Sequence, residues 1–203
     1  ATHLISPYTW WVEELPALRR TGVERWRQFP WWVPDPIAVG REPRTALRAE
    51  VAVVGALDPM YDLRVSAASH PLVTDVLEVS AYARSATRYG ADEYFDLLAE
   101  RDAVIVAFSS SERLRVPIAK YVEVPAVGAL LIGARAHHLE QMGFVSGVNC
   151  LLFEDHDEFE QAVRRYLASP ESFVEIAARG LELVAERHTT TTRLTALRDL
   201  LQI

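Results

Sequence analysis

The chain has 203 residues, of which 50% are hydrophobic and 24% charged, and its formal net charge at pH 7 is −7. This length suffices for one large domain that buries about 70% of its extended surface. The net negative charge excludes sequence-independent binding to the phosphates of nucleic acid. The single cysteine excludes an internal disulfide, and no apolar run reaches membrane-spanning length, so we expect a cytoplasmic protein without a membrane span.

The first part of the chain differs in composition from the rest. All five tryptophans lie within the first 32 residues, and the segment 29–44 carries four prolines. The pattern predicts a strand, a turn and a short helix at 12–20, followed by an extended linker that cannot be helical. We therefore assign residues 1–40 to an aromatic-rich N-terminal segment and crossover linker, and residues 41–203 to a second unit.

From residue 50 onwards, short apolar runs alternate with amphipathic ones. This alternation predicts an α/β fold in which a doubly wound, Rossmann-like parallel sheet of about five strands is followed by C-terminal helices. The predicted strands are 51–54, 75–80, 103–108, 129–132 and 149–153. The predicted helices are 58–69, 92–100, 117–124, 136–142, 155–168, 171–187 and 190–201.

The first candidate site follows the first strand of this sheet. Ligands bind at the carboxyl ends of strands in doubly wound sheets. Gly55 lets the backbone pass close to a ligand there, and Arg64 is within reach of a phosphate. A strand-to-helix turn with a surface arginine explains the same residues, and both interpretations stay open. The segment lacks the GxGxxG fingerprint, which disfavours an NAD site and an oxidoreductase.

The second candidate site follows the third strand. Ser109 and Ser110 offer hydroxyls and free backbone N–H groups that suit an anion. From the local sequence alone, a solvated loop with a capping box between Ser109 and Glu112 is the better interpretation.

The third candidate site lies on the next predicted helix. Pro117 suits the first turn, Lys120 and Glu123 share one face, and the helix should end at Pro125 before Gly128 turns the chain. A surface salt bridge between Lys120 and Glu123 would contribute under about 1 kcal/mol. The functional interpretation is a carboxylate that accepts hydrogen bonds from sugar hydroxyls, with a lysine for phosphate charge.

The fourth candidate site is the acidic run 154–160. Its carboxylates and histidine could hold a metal ion, but they are more typical of a helix N-terminus, so no metal site is predicted. Cys150 lies in a predicted buried strand and is interpreted as core. His137 and His138 begin a predicted helix, where histidines are most often exposed. No order of serine, histidine and aspartate typical of a hydrolase is present.

Taken in order, five segments resemble the C-terminal, donor-binding domain of GT-B glycosyltransferases, and most closely the bacterial group of spore-maturation-type proteins. VAVVGALDPMYDLR resembles the first strand and its phosphate-side loop, and DEYFDLLAERDAVIVAFSSS the segment leading to the donor loop. KYVEVPAVGALLIG resembles the helix with the ribose-binding glutamate. LEQMGFVSGVNCLLFEDHDEFEQAVRRYLASPE and ARGLELVAERHTTTTRLTALRDLL resemble the closing segment and the C-terminal helices.

The resemblance implies a role for individual residues. Glu123 would bind the nucleotide ribose, and Gly55 would allow close approach of the donor. The groups that would face the diphosphate are Arg64, Lys120 and the amides near Ile118 and Ala119. Many retaining members carry a glutamate near the sugar eight residues before the ribose-binding one, and here that position is Arg115. The resemblance assigns no catalytic residue.

The implied function is transfer of a sugar from a nucleotide-diphosphate sugar to an unknown acceptor, with no metal or other cofactor. Two alternatives stay open: a non-catalytic nucleotide-sugar-binding or interaction module, and a sugar epimerase of the same fold. GT-B enzymes have two Rossmann-like domains, and residues 1–40 resemble the end of the first. The tryptophan-rich segment would then contact an N-terminal acceptor domain, a partner subunit or a second copy of the chain.

Overall fold

A computed structural model describes residues 3–7, 25–79 and 90–201, and its centre is a five-stranded parallel sheet. Its strands are β3 (Ala52–Val54), β4 (Asp75–Leu77), β5 (Ala103–Val106), β6 (Leu130–Ala134) and β7 (Leu151–Phe153). They are ordered β4-β3-β5-β6-β7. A separate parallel pair consists of β1 (His3–Ser6) and β2 (Arg25–Gln28). The predicted doubly wound, Rossmann-like sheet is confirmed.

Burial explains why these short runs form strands. Every residue of β3, β5, β6 and β7 is buried, as expected when helices cover both faces of a parallel sheet. The strand β4 at the edge is different, because its three residues are only partly buried or exposed. The predicted strands agree with the observed ones within a few residues at each end, and the last position of 75–80 lies outside the described residues.

The helices lie between and after the strands. Each of the long C-terminal helices was predicted within two or three residues. The helices are α1 (Asp35–Ala38), α2 (Asp62–Ala68), α3 (Ala91–Ala99), α4 (Lys120–Ala126), α5 (His156–Ala168), α6 (Val174–Arg187) and α7 (Thr190–Leu201). Single 3₁₀ turns occupy Pro59–Tyr61, Glu112–Leu114 and Pro170–Phe173.

One predicted helix is wrong. Residues 136–142 form a series of hydrogen-bonded turns, and His138 has a φ of +63°. A non-glycine residue in this left-handed region cannot continue a right-handed helix. The amide of His137 donates to the carbonyl of Arg115 (3.0 Å), so the first of these turns is also tied to the loop after β5.

Two predictions about proline also need correction. The segment 29–44 is not wholly extended, because α1 lies within it; Pro36 falls in the first turn, where the missing N–H leaves no hydrogen bond unmade. The helix predicted near 117–124 begins only at Lys120 and passes Pro125 to end at Ala126. The amide of Gly128 then donates to the Pro125 carbonyl at 2.9 Å, and the φ of +74° at Gly128 turns the chain into β6 as predicted.

The linker contacts the second unit directly. The Trp31 indole N–H donates to the carbonyl of Pro117 (3.0 Å), and Val33 forms a β-bridge with Thr189. Asp35 accepts a hydrogen bond from the amide of Thr191 (2.9 Å) in the first turn of α7. The helix predicted at 12–20 lies outside the described residues, and the boundary at residue 40 stays a prediction. In the part of the chain that the structure describes, no helix has the length and apolar character needed to cross a bilayer.

Candidate functional site

The strand order places one crevice at the carboxyl ends of β3 and β5. After β3 the chain forms β4, which pairs with one side of β3. The next strand, β5, pairs with the other side of β3, so the winding of the sheet reverses between β3 and β5. The loops after these two strands therefore diverge to opposite sides of the sheet. Ligands of open α/β sheets bind at such a switch point. Gly55, Ser109 and Ser110 lie on these two loops, and Arg64 lies in α2, the helix that follows the first of them.

Arg64 spans this crevice. Its Nη1 donates to the carbonyl of Ala56 after β3 (2.9 Å), and its Nε donates to the carbonyl of Ala107 after β5 (2.9 Å). The guanidinium carbon lies 4.5 Å from the centroid of the Tyr61 ring. Arg64 is only 4% exposed, so the alternative of a surface arginine is wrong. Burial lowers the pKa of Arg64, and no described carboxylate forms an ion pair with it.

Gly55 provides the space for this arrangement. Its φ of +139° is a conformation that residues with a Cβ rarely adopt. A Cβ added at Gly55 would lie 3.0 Å from Nη1 of Arg64 and 3.2 Å from Cε of Lys120. The structure thus brings the first and third candidate sites together, with two cationic side chains close to one glycine.

Lys120 is the second cation of the cluster. It begins α4, and its ammonium lies 5.6 Å from the centroid of the Tyr94 ring. Burial lowers the pKa of Lys120; the charge of Glu123 opposes this shift, and the charge of Arg64 adds to it. Two cations held close together with one acidic neighbour leave a surplus of positive charge, which an anion would neutralise.

Glu123 is held in place by an aromatic hydroxyl. Tyr94 on α3 donates a hydrogen bond to Oε2 of Glu123 (2.9 Å). Burial raises the pKa of the Tyr94 hydroxyl, and the charge of Glu123 raises it further, so Tyr94 stays a donor. Glu123 forms no ion pair with Lys120, and the surface salt bridge considered above is absent from the structure. One oxygen of the carboxylate is fixed by Tyr94, and the other can accept from a ligand.

The serines after β5 lie beside the cluster and are partly engaged already. The buried Ser109 hydroxyl accepts from the amide of Ser111 (3.3 Å), so the capping box with Glu112 is not formed. The amide of Ser110 donates to Asp62 (2.9 Å), and hydrogen bonding from Ser110, first by its side chain and then by its amide, lowers the pKa of the Asp62 carboxyl. The carbonyls of Ile118 and Ala119 accept from amides of α4, while their own amides precede its first turn. Binding by these four residues stays a prediction.

Three participants were not found from the sequence. Tyr94 holds Glu123, Tyr61 lies against Arg64, and Asp62 holds the loop after β5. Each acts on a residue that is distant in sequence, and only the packing of α3 and of the loop before α2 brings them together. A tyrosine or aspartate inside an amphipathic helix gives no pattern that would have singled it out.

A charged network lies at the carboxyl ends of β5, β6 and β7. Arg115 forms ion pairs with Glu154 and with Glu112 (3.4 Å to Glu112), and Arg135 contacts the same Glu154 (3.4 Å). His137 contacts Glu112 at 3.1 Å. Arg115 is therefore occupied by neighbouring carboxylates, in contrast to Arg64.

A further cleft lies at the opposite end of the strands, on the far side of the sheet from the candidate site. It has a volume of about 660 Å³ and is lined by residues at the amino ends of β3 and β5. Its arginines are paired: Arg44 and Arg48 with Asp102, and Arg101 with Asp75. This network ties the segment before β3 to the base of the sheet, and we interpret it as structural.

Comparison with known proteins agrees with this geometry. A family model described as "Glycosyl transferase-like" matches residues 47–199, well over half of the chain, so the protein belongs to the glycosyltransferase-like family. No curated protein sequence matches the chain significantly. The chain is therefore a glycosyltransferase-like domain, and its structural neighbours show that it has a GT-B-type fold.

Three solved structures illustrate the likeness. Anabaena Alr3699/HepE in complex with UDP and glucose superposes with a TM-score of 0.70 at 15% identity, over 100% of this chain and 63% of that one. Sucrose-phosphate synthase from Thermosynechococcus elongatus gives 0.64 at 18% identity, over 98% of this chain and 57% of that one. The pneumococcal O-GlcNAc transferase GtfA, in complex with UDP and GlcNAc, gives a TM-score of 0.63 at 14% identity, over 100% of this chain and 45% of that one. The chain therefore spans about half to two thirds of the length of these proteins.

Proposed function

We propose that this chain is the donor-binding half of a glycosyltransferase, and that it binds a nucleotide-diphosphate sugar at the carboxyl ends of β3 and β5. The observation that carries the proposal is the convergence of Arg64 and Lys120 on Gly55. Arg64 is buried and Lys120 is half-buried, and neither has an ion-pair partner among the described residues. These two cations match the two negative charges of a diphosphate. The HepE and GtfA structures, which contain UDP, support the same class of ligand.

Glu123 gives the site its second specific contact. Because Tyr94 fixes one carboxylate oxygen, the other is oriented to accept hydrogen bonds from the ribose hydroxyls of the nucleotide. A charge-assisted hydrogen bond of this kind contributes about 1.5–3 kcal/mol. The base, the sugar and the acceptor are not identified by these contacts.

The proposed chemistry needs no metal ion at the donor. During transfer, the bond between the sugar and the diphosphate breaks, and its electron pair stays on the diphosphate oxygen. The acceptor oxygen forms the new bond to the sugar, and its proton passes to the leaving diphosphate or to water. Arg64 and Lys120 stabilise the charge that develops on the leaving diphosphate, and this is the usual form of electrostatic catalysis in such a site.

One observation favours a second candidate, a non-catalytic nucleotide-sugar-binding module. Arg115 stands where the resemblance places a sugar-contacting glutamate, and Glu154 and Glu112 hold it in an ion-pair network. A sugar epimerase of the same fold is a further alternative, distinguished by its product. We infer that glycosyltransferase activity requires an acceptor-binding unit. This unit would belong to a longer protein that contains this chain, to a partner subunit or to a second copy of the chain. The kinship with spore-maturation-type proteins and a cytoplasmic location remain predictions.

Calorimetric titration with UDP, GDP, dTDP and ADP, with EDTA present, tests the donor site. We expect saturable binding of one nucleotide, weakened about 10- to 150-fold by Glu123→Gln because one charge-assisted hydrogen bond is lost. Glu182→Gln, an exposed carboxylate on α6, is the matched control and should bind like the unchanged protein. Absence of binding by all four nucleotides, or equal binding by both variants, would contradict the proposal.

Turnover distinguishes the candidate functions once a nucleotide is identified. The corresponding nucleotide-sugar is incubated with the protein, and free nucleoside diphosphate and the sugar products are followed. Release of diphosphate with sugar transfer or hydrolysis supports the transferase. Binding without any release supports the binding module, and a changed sugar that remains on the nucleotide supports the epimerase.

A further inference from the structure

A cluster of metal-ligating side chains lies outside the proposed donor site. His70 comes from the turn after α2, while His156 and Glu160 are one helical turn apart at the start of α5. One ligand atom of each residue lies within 4.8 Å of the others. Residues at i and i+4 share a face of a helix, so α5 presents an imidazole and a carboxylate side by side towards the third residue.

The histidine rings already have the separation that a shared metal ion requires. Zn–N bonds of about 2.0–2.1 Å place a ring centroid about 3.2 Å from the metal, so two imidazoles on a tetrahedral ion have centroids about 5.2 Å apart. The centroids of His70 and His156 are 5.5 Å apart, at an interplanar angle of 66°. Ligand atoms of a tetrahedral zinc site are about 3.3 Å apart, so small side-chain rotations would complete the site.

Packing restricts the positions of the rings before any ion binds. The His70 ring packs edge-on against the buried Phe159 (centroids 5.3 Å apart), and His156 lies 6.1 Å from the same ring. Two neighbouring contacts would be given up on binding. The amide of Leu72 donates to Nδ1 of His70 at a long 3.3 Å, and Arg164 contacts the Glu160 carboxylate. Both are weak, since an exposed ion pair contributes under about 1 kcal/mol.

We propose that His70, His156 and Glu160 bind a divalent transition-metal ion, with Zn²⁺ as the best fit. Two imidazoles and one carboxylate are borderline ligands that suit zinc and its neighbours, whereas Mg²⁺ and Ca²⁺ prefer oxygen ligands alone. A bound ion would tie the turn after α2 to the beginning of α5. Three protein ligands would leave a fourth position for water.

Titration of the untagged protein with Zn²⁺, followed by calorimetry, tests this site. Co²⁺ serves as a spectroscopic probe, since four-coordinate Co²⁺ absorbs strongly in the visible range. We expect one ion per chain, the visible absorption of a four-coordinate site, and a rise in the unfolding midpoint with ion concentration. His156→Ala and Glu160→Gln should each weaken binding about tenfold or more. Both positions are at least partly exposed, so both variants should fold.

His137→Ala is the matched control. His137 is also exposed and also contacts a glutamate, Glu112, at 3.1 Å, but it is not part of a three-residue cluster among the described residues. This variant should bind Zn²⁺ like the unchanged protein. The proposal is overturned if Zn²⁺ does not bind saturably, if His156→Ala binds unchanged, or if His137→Ala weakens binding as much as His156→Ala does.

Discussion

Replacement of Gly55 by alanine tests the donor site most directly. The substitution has two separate costs. A non-glycine residue at a φ of +139° carries backbone strain of about 1–3 kcal/mol. The added Cβ would also lie 3.0 Å from Nη1 of Arg64 and 3.2 Å from Cε of Lys120, so one or both cations must move.

The second cost should appear in nucleotide binding. If a displaced cation loses one charge-assisted contact with the diphosphate, about 1.5–3 kcal/mol of binding free energy is lost. Affinity would then fall about 10- to 150-fold. Calorimetry with the nucleotide that the unchanged protein binds measures this loss, and urea denaturation of the free protein measures the strain.

Gly40→Ala separates the effect of backbone strain from the effect of displacing Arg64 or Lys120. Gly40 also has a positive φ, +75°, but a Cβ there meets no atom within 4 Å. Gly40→Ala should therefore cost about 1–2 kcal/mol of stability and leave nucleotide affinity unchanged. The reasoning is refuted if Gly55→Ala binds nucleotide as tightly as Gly40→Ala.

Three further predictions concern charged groups. Lys120→Met should stabilise the free protein, because it removes a cation whose pKa burial lowers, and should weaken nucleotide binding at least about tenfold; thermal unfolding and calorimetry measure the two effects. Burial lowers the pKa of His188 to about 4, and its Nε2–H donates to the Met142 carbonyl (2.7 Å). The unfolded state therefore binds more protons, and stability present above about pH 6.5 falls by up to roughly 3 kcal/mol towards pH 4; His188→Gln should flatten this slope in urea denaturation. Asp102→Asn should cost about 3–5 kcal/mol, because Arg44 loses its partner in a half-buried position.

Each of these three variants has its own control. Lys120→Met should leave the Zn²⁺ affinity unchanged, and reduced stability of this variant would contradict the assignment of Lys120 as an uncompensated cation. His137→Gln removes an exposed histidine and should leave the slope with pH intact. Asp102→Asn affects the amino ends of the strands, so a loss of nucleotide affinity beyond the loss of folded protein would argue against a purely structural network there.

The sequence by itself determined the class of fold. The β-branched and aliphatic runs at β3, β5, β6 and β7 are buried on both faces, and a continuous apolar run of strand length has few other solutions. The rule that ligands bind at the carboxyl ends of parallel strands pointed to the loops after β3 and β5, and ligand binding there stays a prediction. Local signals failed where a distant contact overrode them, as at residues 136–142, where His137 bonds to the loop after β5.

Only the tertiary structure decided which of the candidate residues meet. Gly55 and Arg64 come from one candidate segment and Lys120 from another, and the two segments converge because β3 and β5 are neighbours at the point where the sheet reverses its winding. Arg64 is a buried cation without an ion-pair partner among the described residues, and not a surface residue. Its burial follows from the tertiary packing, so the sequence could not show it. The same holds for Tyr94 and Glu123, and for His70, which sequence reasoning never connected with His156, because side-chain contacts across helices leave no periodic signal in the sequence.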